Sequence, residues 1–156
     1  MSFPTVTPVL SVAGTFSAND YVGTSGTAMV FSPCGEGRSA NGGGARGYVV
    51  GARMIDFALK SISTELWVFD TAVTPPADNA AWSISDADSA HLICVIPFST
   101  YYASALNSVS AGEPEGGPAR YITADTNTNL YGCLVTRGAP VYTTGDLTVR
   151  LSIIPD

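Results

Sequence analysis

His91 is the one histidine of the chain, so any Ser-His-Asp or Cys-His nucleophile system has to be built around it. The residue follows an acidic turn and stands at the start of a predicted strand. No Gly-x-Ser-x-Gly elbow or comparable nucleophile turn occurs in the sequence. We therefore interpret His91 as an ordinary polar residue at a strand edge and predict that the protein is not an enzyme.

The cysteines give no sign of a metal or redox site. Cys34, Cys94 and Cys133 are widely spaced, and no C-x-x-C pair occurs. Their odd number also argues against a disulfide framework. We expect free thiols and neither a zinc site nor a cofactor.

The acidic residues raise two further possibilities. Four oxygen ligands for Ca²⁺ could converge in one predicted loop: Asp78, Asn79, Asp86 and Asp88. Their spacing matches no EF-hand, and such residues are also the commonest turn and cap residues, which we favour as the explanation. Glu113 and Glu115 could form a glycosidase pair, but they lie in a Gly/Pro-rich loop that is poorly suited to hold that geometry. We predict no metal.

The glycine-rich run GEGRSANGGGARG, residues 35–47, resembles a phosphate loop only superficially. It lacks the Gly-Lys-Ser/Thr ending, and strand residues follow it where a helix would be needed. We interpret it as a surface loop. Its arginines, Arg38 and Arg46, are candidate partners for acidic residues of another protein.

Three aromatic residues lie in or beside predicted long loops: Trp82, Tyr101 and Tyr102. Loop aromatics can stack on sugar rings or anchor a protein interface, and packing within the loop is the simplest alternative. In a chain with so few charges we favour the interface, and these three residues are its candidate anchors. Trp67 and Phe98 lie in predicted strands and are expected in the core.

Composition excludes several classes of partner. Apolar residues make up 46% of the 156 residues, charged residues only 13%, and the net charge is -6. The cations are scattered singly, so we expect no nucleic-acid and no membrane-surface binding. The first residues show neither the basic start nor the apolar run of a secretory signal, and we expect synthesis in the cytoplasm without export.

Dense turn residues, including 16 Gly and 10 Pro, divide the chain into short apolar segments. This pattern predicts one all-β domain over residues 1–156, a jelly-roll-like antiparallel β-sandwich of about eight or nine strands with long loops. Residues 1–25 are predicted as an N-terminal arm. The clearest strand has Leu147, Val149, Leu151 and Ile153 facing the core, in alternation with polar residues.

The longest apolar run predicts a strand over residues 48–59, with a bulge near Gly51 and with Val49, Ile55, Phe57 and Leu59 on one face. Ser85 or Asp86 is expected to cap a single helical turn. The other predicted strands are 9–13, 21–22, 28–31, 65–70, 91–98, 120–123 and 130–136. The predicted long loops are 32–46, 71–90 and 99–119. Several strands are apolar on both faces, which we expect to be covered by a second sheet or by a neighbouring subunit.

Some of these segments resemble a known family. The segments GGGARGYVVGARMIDFALKS, LWVFDTAVTPPADNAAWSISDADSAHLICVIPF and LYGCLVTRGAPVYTTGDLTVRLSII are similar to head decoration, or capsid cement, proteins of tailed bacteriophages. The most specific parts are Leu-Trp-Val-Phe-Asp, the following P-x-x-D-N-A-A-aromatic motif and the Ser-Asp-Ala-Asp turn.

The resemblance implies a jelly-roll virion structural protein without catalytic residues. It would bind the major capsid protein on the capsid exterior as a homo-oligomer, either a dimer or a trimer. The alternative is a tail-fibre or receptor-binding jelly roll that recognises a host glycan through loop aromatics.

Overall fold

The protein is an all-β sandwich of antiparallel sheets, as predicted. The computed structural model describes residues 3–7, 14–32, 44–124 and 127–156. The strands of the larger sheet are β1 (Thr5–Val6), β5 (Arg46–Asp56), β8 (Tyr101–Ala103), β9 (Ser108–Gly112), β10 (Ala119–Ile122) and β13 (Leu147–Pro155). They run in the order β1-β13-β5-β9-β8, and β10 also pairs with β5.

The second sheet has five strands in the order β3-β11-β6-β7, with β4 paired to β11. Their bounds are β3 (Tyr21–Val22), β4 (Met29–Phe31), β6 (Thr64–Phe69), β7 (Leu92–Phe98) and β11 (Leu130–Thr136). A two-stranded ribbon joins β2 (Gly14–Thr15) to β12 (Val141–Tyr142). The strands predicted at 21–22, 28–31, 65–70, 91–98, 120–123 and 130–136 all correspond to observed strands, within one residue at each end.

The main core lies between the two large sheets. Leu147, Val149, Leu151 and Ile153 of β13 are all buried there, as their alternation predicts. The second sheet contributes large apolar side chains such as Leu66, Ile96, Phe98, Leu130 and Leu134. Each sheet therefore buries one face against the other, which is the arrangement that stabilises a sandwich.

The prediction that Val49 and Ile55 of the longest strand share one face is wrong, because the strand contains a bulge between them. Between Val49 and Gly51 the strand has one residue more than its partner β13, so the predicted bulge is present at Val50. Val49 is buried before the bulge, but Ala52 and Met54 are buried after it. One extra residue shifts a period-two pattern onto the opposite face. Ile55 therefore lies on the outer side, half-buried, and Arg53 is exposed.

The same strand ends at Asp56, three residues before the predicted end, because a tight loop begins there. Leu59 and Ser61 adopt left-handed backbone conformations, with φ values of 56° and 51°. The buried carboxylate of Asp56 accepts hydrogen bonds from the backbone N–H groups of Ala58 (2.9 Å) and Ser61 (2.7 Å). This loop leaves Phe57 and Leu59 about half exposed rather than in the core.

The predicted loop over residues 99–119 is also wrong, since it contains the hairpin of β8 and β9. Ser108 and Ser110 of β9 point inward and are fully buried. Small hydroxyl residues carry little β-forming signal, and the hairpin therefore depends on tertiary pairing with β5. With this hairpin and several strands of two residues, the described residues contain thirteen strands rather than eight or nine.

The remaining predictions concern loops and the chain start. One helical turn, α1 (Asp86–Ser89), is capped by Ser85, whose Oγ accepts from the Asp88 N–H at 3.0 Å, as expected. No helix in the described part of the chain is long and apolar enough to cross a bilayer. The strand predicted at 9–13 and most of the loop predicted at 32–46 lie outside the described residues. Within the segment predicted as an N-terminal arm, Phe16 is buried in the main core.

Truncating one core side chain of β13 tests this inside-outside assignment. We expect Leu151→Ala, at a fully buried position, to lower the free energy of unfolding by about 2 to 5 kcal/mol, because it removes burial and leaves a cavity. Ile154→Ala on the outer side of the same strand is the control, with an expected loss below about 1 kcal/mol. Urea unfolding measures both. Equal losses would contradict the assigned faces.

Candidate interaction face

The outer side of the five-stranded sheet is covered by the chain itself. Residues 71–90, here called the covering segment, bring Trp82 into a second apolar cluster. The indole of Trp82 stacks on Tyr21 with ring centroids 6.0 Å apart and meets Trp67 edge-on at 5.4 Å. This cluster explains why strands such as β6 and β11 are apolar on both faces. Trp82 thus has a structural role within the subunit.

Backbone and carboxylate hydrogen bonds hold the covering segment in place. The Trp82 N–H donates to the carbonyl of Asn19 at 2.7 Å, and the buried carboxylate of Asp78 accepts from the Gly23 N–H at 3.1 Å. These contacts tie the segment to the chain around β3. Within the described ranges, no group of three or more His, Cys, Asp or Glu side chains could hold a metal ion.

The two neighbouring tyrosines of β8 point in opposite directions. Tyr101 is half-buried, packs against the main core and donates its hydroxyl to the carbonyl of Ile62 at 2.6 Å. Burial raises the pKa of Tyr101 to about 12, which keeps its hydroxyl protonated as a donor. Tyr102 is 75% exposed on the outer side of the six-stranded sheet. Of this pair, Tyr102 is the residue placed to contact a partner.

The histidine lies apart from these tyrosines. The Nδ1 atom of His91 is 2.8 Å from a carboxylate oxygen of Asp70, and the His91 side chain is half exposed. This pair lies where β7 begins beside the end of β6, at the margin of the covered sheet. It accounts for His91 as a polar residue at a strand edge.

The outer side of the six-stranded sheet is the surface that most resembles an interface. We call it the arginine face and define it by Arg46, Arg53, Arg120 and Arg150 together with Tyr48, Tyr102, Ile122 and Ile154. All eight side chains are exposed. Tyrosine and arginine are enriched at protein interfaces relative to the rest of the protein surface. Of the residues predicted as contacts, Arg46 and Tyr102 belong to this face, and Arg38 lies outside the described residues.

Strand register explains how the face is assembled. Arg150 of β13 lies directly opposite Arg53 of β5, and Tyr48 of β5 lies between Ile154 and Arg120 on its two neighbours. Tyr102 of β8 belongs to another row of directly opposed residues, which runs through β9 to β5. The arginine face is therefore a rigid, hydrogen-bonded platform rather than a set of loops.

Charge is distributed unevenly over the molecule. Four of the seven Lys and Arg residues belong to the arginine face, although the chain as a whole has a net charge of -6. No Asp or Glu faces outward from the described strands of the six-stranded sheet. Four acidic residues lie in and beside the covering segment, at Asp70, Asp78, Asp86 and Asp88, and Glu113 follows β9 at the border of the arginine face. The arginine face is thus locally basic on an acidic protein, which suits an acidic partner.

Among the other cations, Arg137 has a partner within the chain. Its guanidinium donates from Nε to Oε1 of Glu65 at 2.8 Å and forms a second bond to Oε2, while the indole N–H of Trp67 also donates to Oε2 at 3.0 Å. Hydrogen bonding from Arg137 lowers the pKa of Glu65 below its ordinary value of 4.5. This bidentate pair connects the start of β6 to the end of β11.

Sequence reasoning missed Arg53, Arg120 and Arg150. Arg150 falls on the polar side of the predicted alternation, and Arg53 interrupts the apolar pattern of its strand, so both could have been assigned to solvent. Their position opposite each other depends on the pairing of strands almost a hundred residues apart, which no local pattern reveals.

Comparison with known proteins gives no significant match to the chain among family models, curated proteins or solved structures. We therefore infer the function from the geometry of the arginine face and from the sequence segments quoted above.

Removing Trp82 tests whether it is structural. We expect Trp82→Ala to lower the free energy of unfolding by about 3 kcal/mol, since the second apolar cluster loses its largest ring. It should also speed the reaction of Cys133, a buried thiol in that cluster whose pKa burial raises to about 12. Tyr102→Ala is the control and should change stability by less than about 0.5 kcal/mol. A Trp82→Ala variant as stable as the wild type would contradict this role.

The ion pair of Glu65 and Arg137 predicts a specific response to acid. Because the pKa of Glu65 is lowered in the folded state, its contribution is present above pH 4.5 and is lost as the pH falls below that value. Glu65→Gln should therefore lose less stability than the wild type on acidification from about pH 5 to pH 3. Urea midpoints across this range measure the effect. Glu115→Gln, which removes an exposed carboxylate, is the control, and parallel curves for all three proteins would contradict the prediction.

Proposed function

We propose that the protein is a virion structural protein that decorates and stabilises the capsid of a tailed bacteriophage. It binds the lattice of the major capsid protein as a small oligomer, and the arginine face makes the contact. The observation that carries the proposal is the exposed arginine face itself: a rigid sheet surface with interface-like composition, whose charge is opposite to that of the whole chain. The resemblance of the quoted segments to head decoration proteins supports the choice of partner.

The architecture suits a protein that acts by binding. A flat strand surface loses little conformational entropy when it docks, because its backbone is already fixed by cross-strand hydrogen bonds. Each contact can then be modest in strength. Contacts repeated by an oligomer across neighbouring capsid subunits act together, and this multivalency raises the stability of the particle.

The receptor-binding alternative has less support from the positions of the aromatic side chains. A glycan site built from loop aromatics needs exposed rings on which sugars can stack. Trp82 is packed in the second apolar cluster and Tyr101 against the main core. Of the three aromatics considered for that role, Tyr102 alone presents most of its ring to solvent.

Mixing the purified protein with undecorated heads of the encoding virus tests the proposal. We expect the protein to sediment with the heads and to raise the temperature at which they break open. Tyr102→Ala should weaken binding by about 2 kcal/mol, as truncation of an interface anchor does. Lys60→Gln, which removes a charge outside the arginine face, should bind like the wild type.

Two results would contradict the proposal. The protein could stay in the supernatant and bind host-cell polysaccharide instead, which would favour the receptor-binding alternative. Alternatively, Lys60→Gln could weaken binding as much as Tyr102→Ala, which would place the contact elsewhere on the molecule.

A further inference from the structure

Two arginines of the arginine face lie at one point of the six-stranded sheet. Arg53 of β5 and Arg150 of β13 are directly opposite each other, and both line an open cavity of about 600 Å³. Directly opposed side chains have Cβ atoms only about 5 Å apart, and like charges at such positions destabilise a sheet. In the described part of the chain, neither arginine forms an ion pair with an acidic side chain. Glu113 lines the same cavity without forming an ion pair, so a carboxylate of the chain offsets the cost of placing the two cations together only in part.

The cavity exists because small residues surround the two arginines. Gly51, Ala111 and Ser152 line it beside the bulge at Val50, where the extra residue of β5 interrupts the pairing with β13. Bulges commonly redirect side chains at binding sites. Here the bulge is also what turns Arg53 outward.

An aromatic ring fixes one of the two guanidinium groups. The Arg150 guanidinium carbon lies 4.2 Å from the ring centroid of Phe3, within the range of a cation–π contact. Stacking occupies one face of the planar group and leaves the N–H donors at its edge available for a ligand. The site is therefore partly organised before anything binds.

We propose that Arg53 and Arg150 form a binding site for a carboxylate group, supplied by an acidic segment of a partner protein. Arginine pairs with carboxylate in a bidentate geometry, and two guanidinium groups can enclose one carboxylate with several charge-assisted hydrogen bonds. Glu113 lines the same cavity and adds a negative charge. A singly charged carboxylate is therefore favoured over a doubly charged phosphate.

The site itself does not depend on the proposed function. If the protein decorates a capsid, the carboxylate comes from an acidic side chain of the lattice, and this identification of the partner rests on the proposed function. The chemistry of recognition is the same for any acidic protein segment.

Titration with a capped hexaglutamate peptide at low ionic strength tests the site. We expect saturable binding that weakens on the order of tenfold in both Arg53→Gln and Arg150→Gln, because each removes one half of the enclosure. Arg53→Lys should also bind weakly, since it keeps the charge but loses the bidentate geometry. Lys60→Gln is the control: it removes one positive charge outside the arginine face, and its affinity should stay within about twofold of the wild type.

A second measurement shows that the variants remain folded. Relief of repulsion between the paired cations should keep the thermal midpoint of Arg53→Gln at or above that of the wild type. Added hexaglutamate should raise the midpoint of the wild type and not that of the variant.

Three results would overturn the inference. Lys60→Gln could weaken peptide binding as much as Arg53→Gln, which would indicate a diffuse electrostatic effect of the whole protein. Capped hexaglutamine could bind as well as hexaglutamate. Inorganic phosphate could displace the peptide at lower concentration than acetate, which would assign the site to phosphate. No capsid is present in these titrations. Binding of the peptide without binding to the heads would therefore support this carboxylate site and contradict only the proposed function.

Discussion

The pairing of β5 with β13, interrupted by one bulge, is the constraint on which both the core and the binding surface depend. Before the bulge, Val49 faces the core opposite Ile153, and after it Met54 does so opposite Val149. A regular strand without the extra residue would turn Arg53 inward, where an unpaired charge is very costly. The bulge thus builds the hydrophobic core and at the same time places two arginines side by side on the outer surface.

The two sheets differ in how their outer sides are used. The covering segment closes the five-stranded sheet and gives its second apolar face a partner within the chain, with Trp82 at the centre. The six-stranded sheet has no comparable cover among the described residues, and its outer side combines cations with exposed tyrosine and isoleucine. This asymmetry, rather than any loop, distinguishes the surface that can accept a partner.

Parts of this structure can be predicted from the sequence because their signals are local. The alternation around Leu151 identifies β13, and Ser85 before an acidic turn identifies the helical cap. The hairpin of β8 and β9 gives no such signal, since the inward residues of β9 are small and polar. Trp82 in a long loop suggests an exposed ring, yet its own segment folds back onto the sheet and buries it. Strand pairing determines which residues of β5 face inward and places Arg53 opposite Arg150. Neither feature has a local sequence signature.

Arginine-specific modification tests the central claim, that the arginine face is the contact surface, most directly. The protein would be treated with a phenylglyoxal reagent alone and when bound to undecorated heads, and each arginine would be quantified by mass spectrometry. We expect binding to the heads to protect Arg46, Arg53 and Arg150 from the reagent. Arg137, which is paired with Glu65 on the other sheet, should react at an unchanged rate. Equal modification of Arg53 and Arg150 in the free and bound protein, with protection at Arg137 instead, would contradict it.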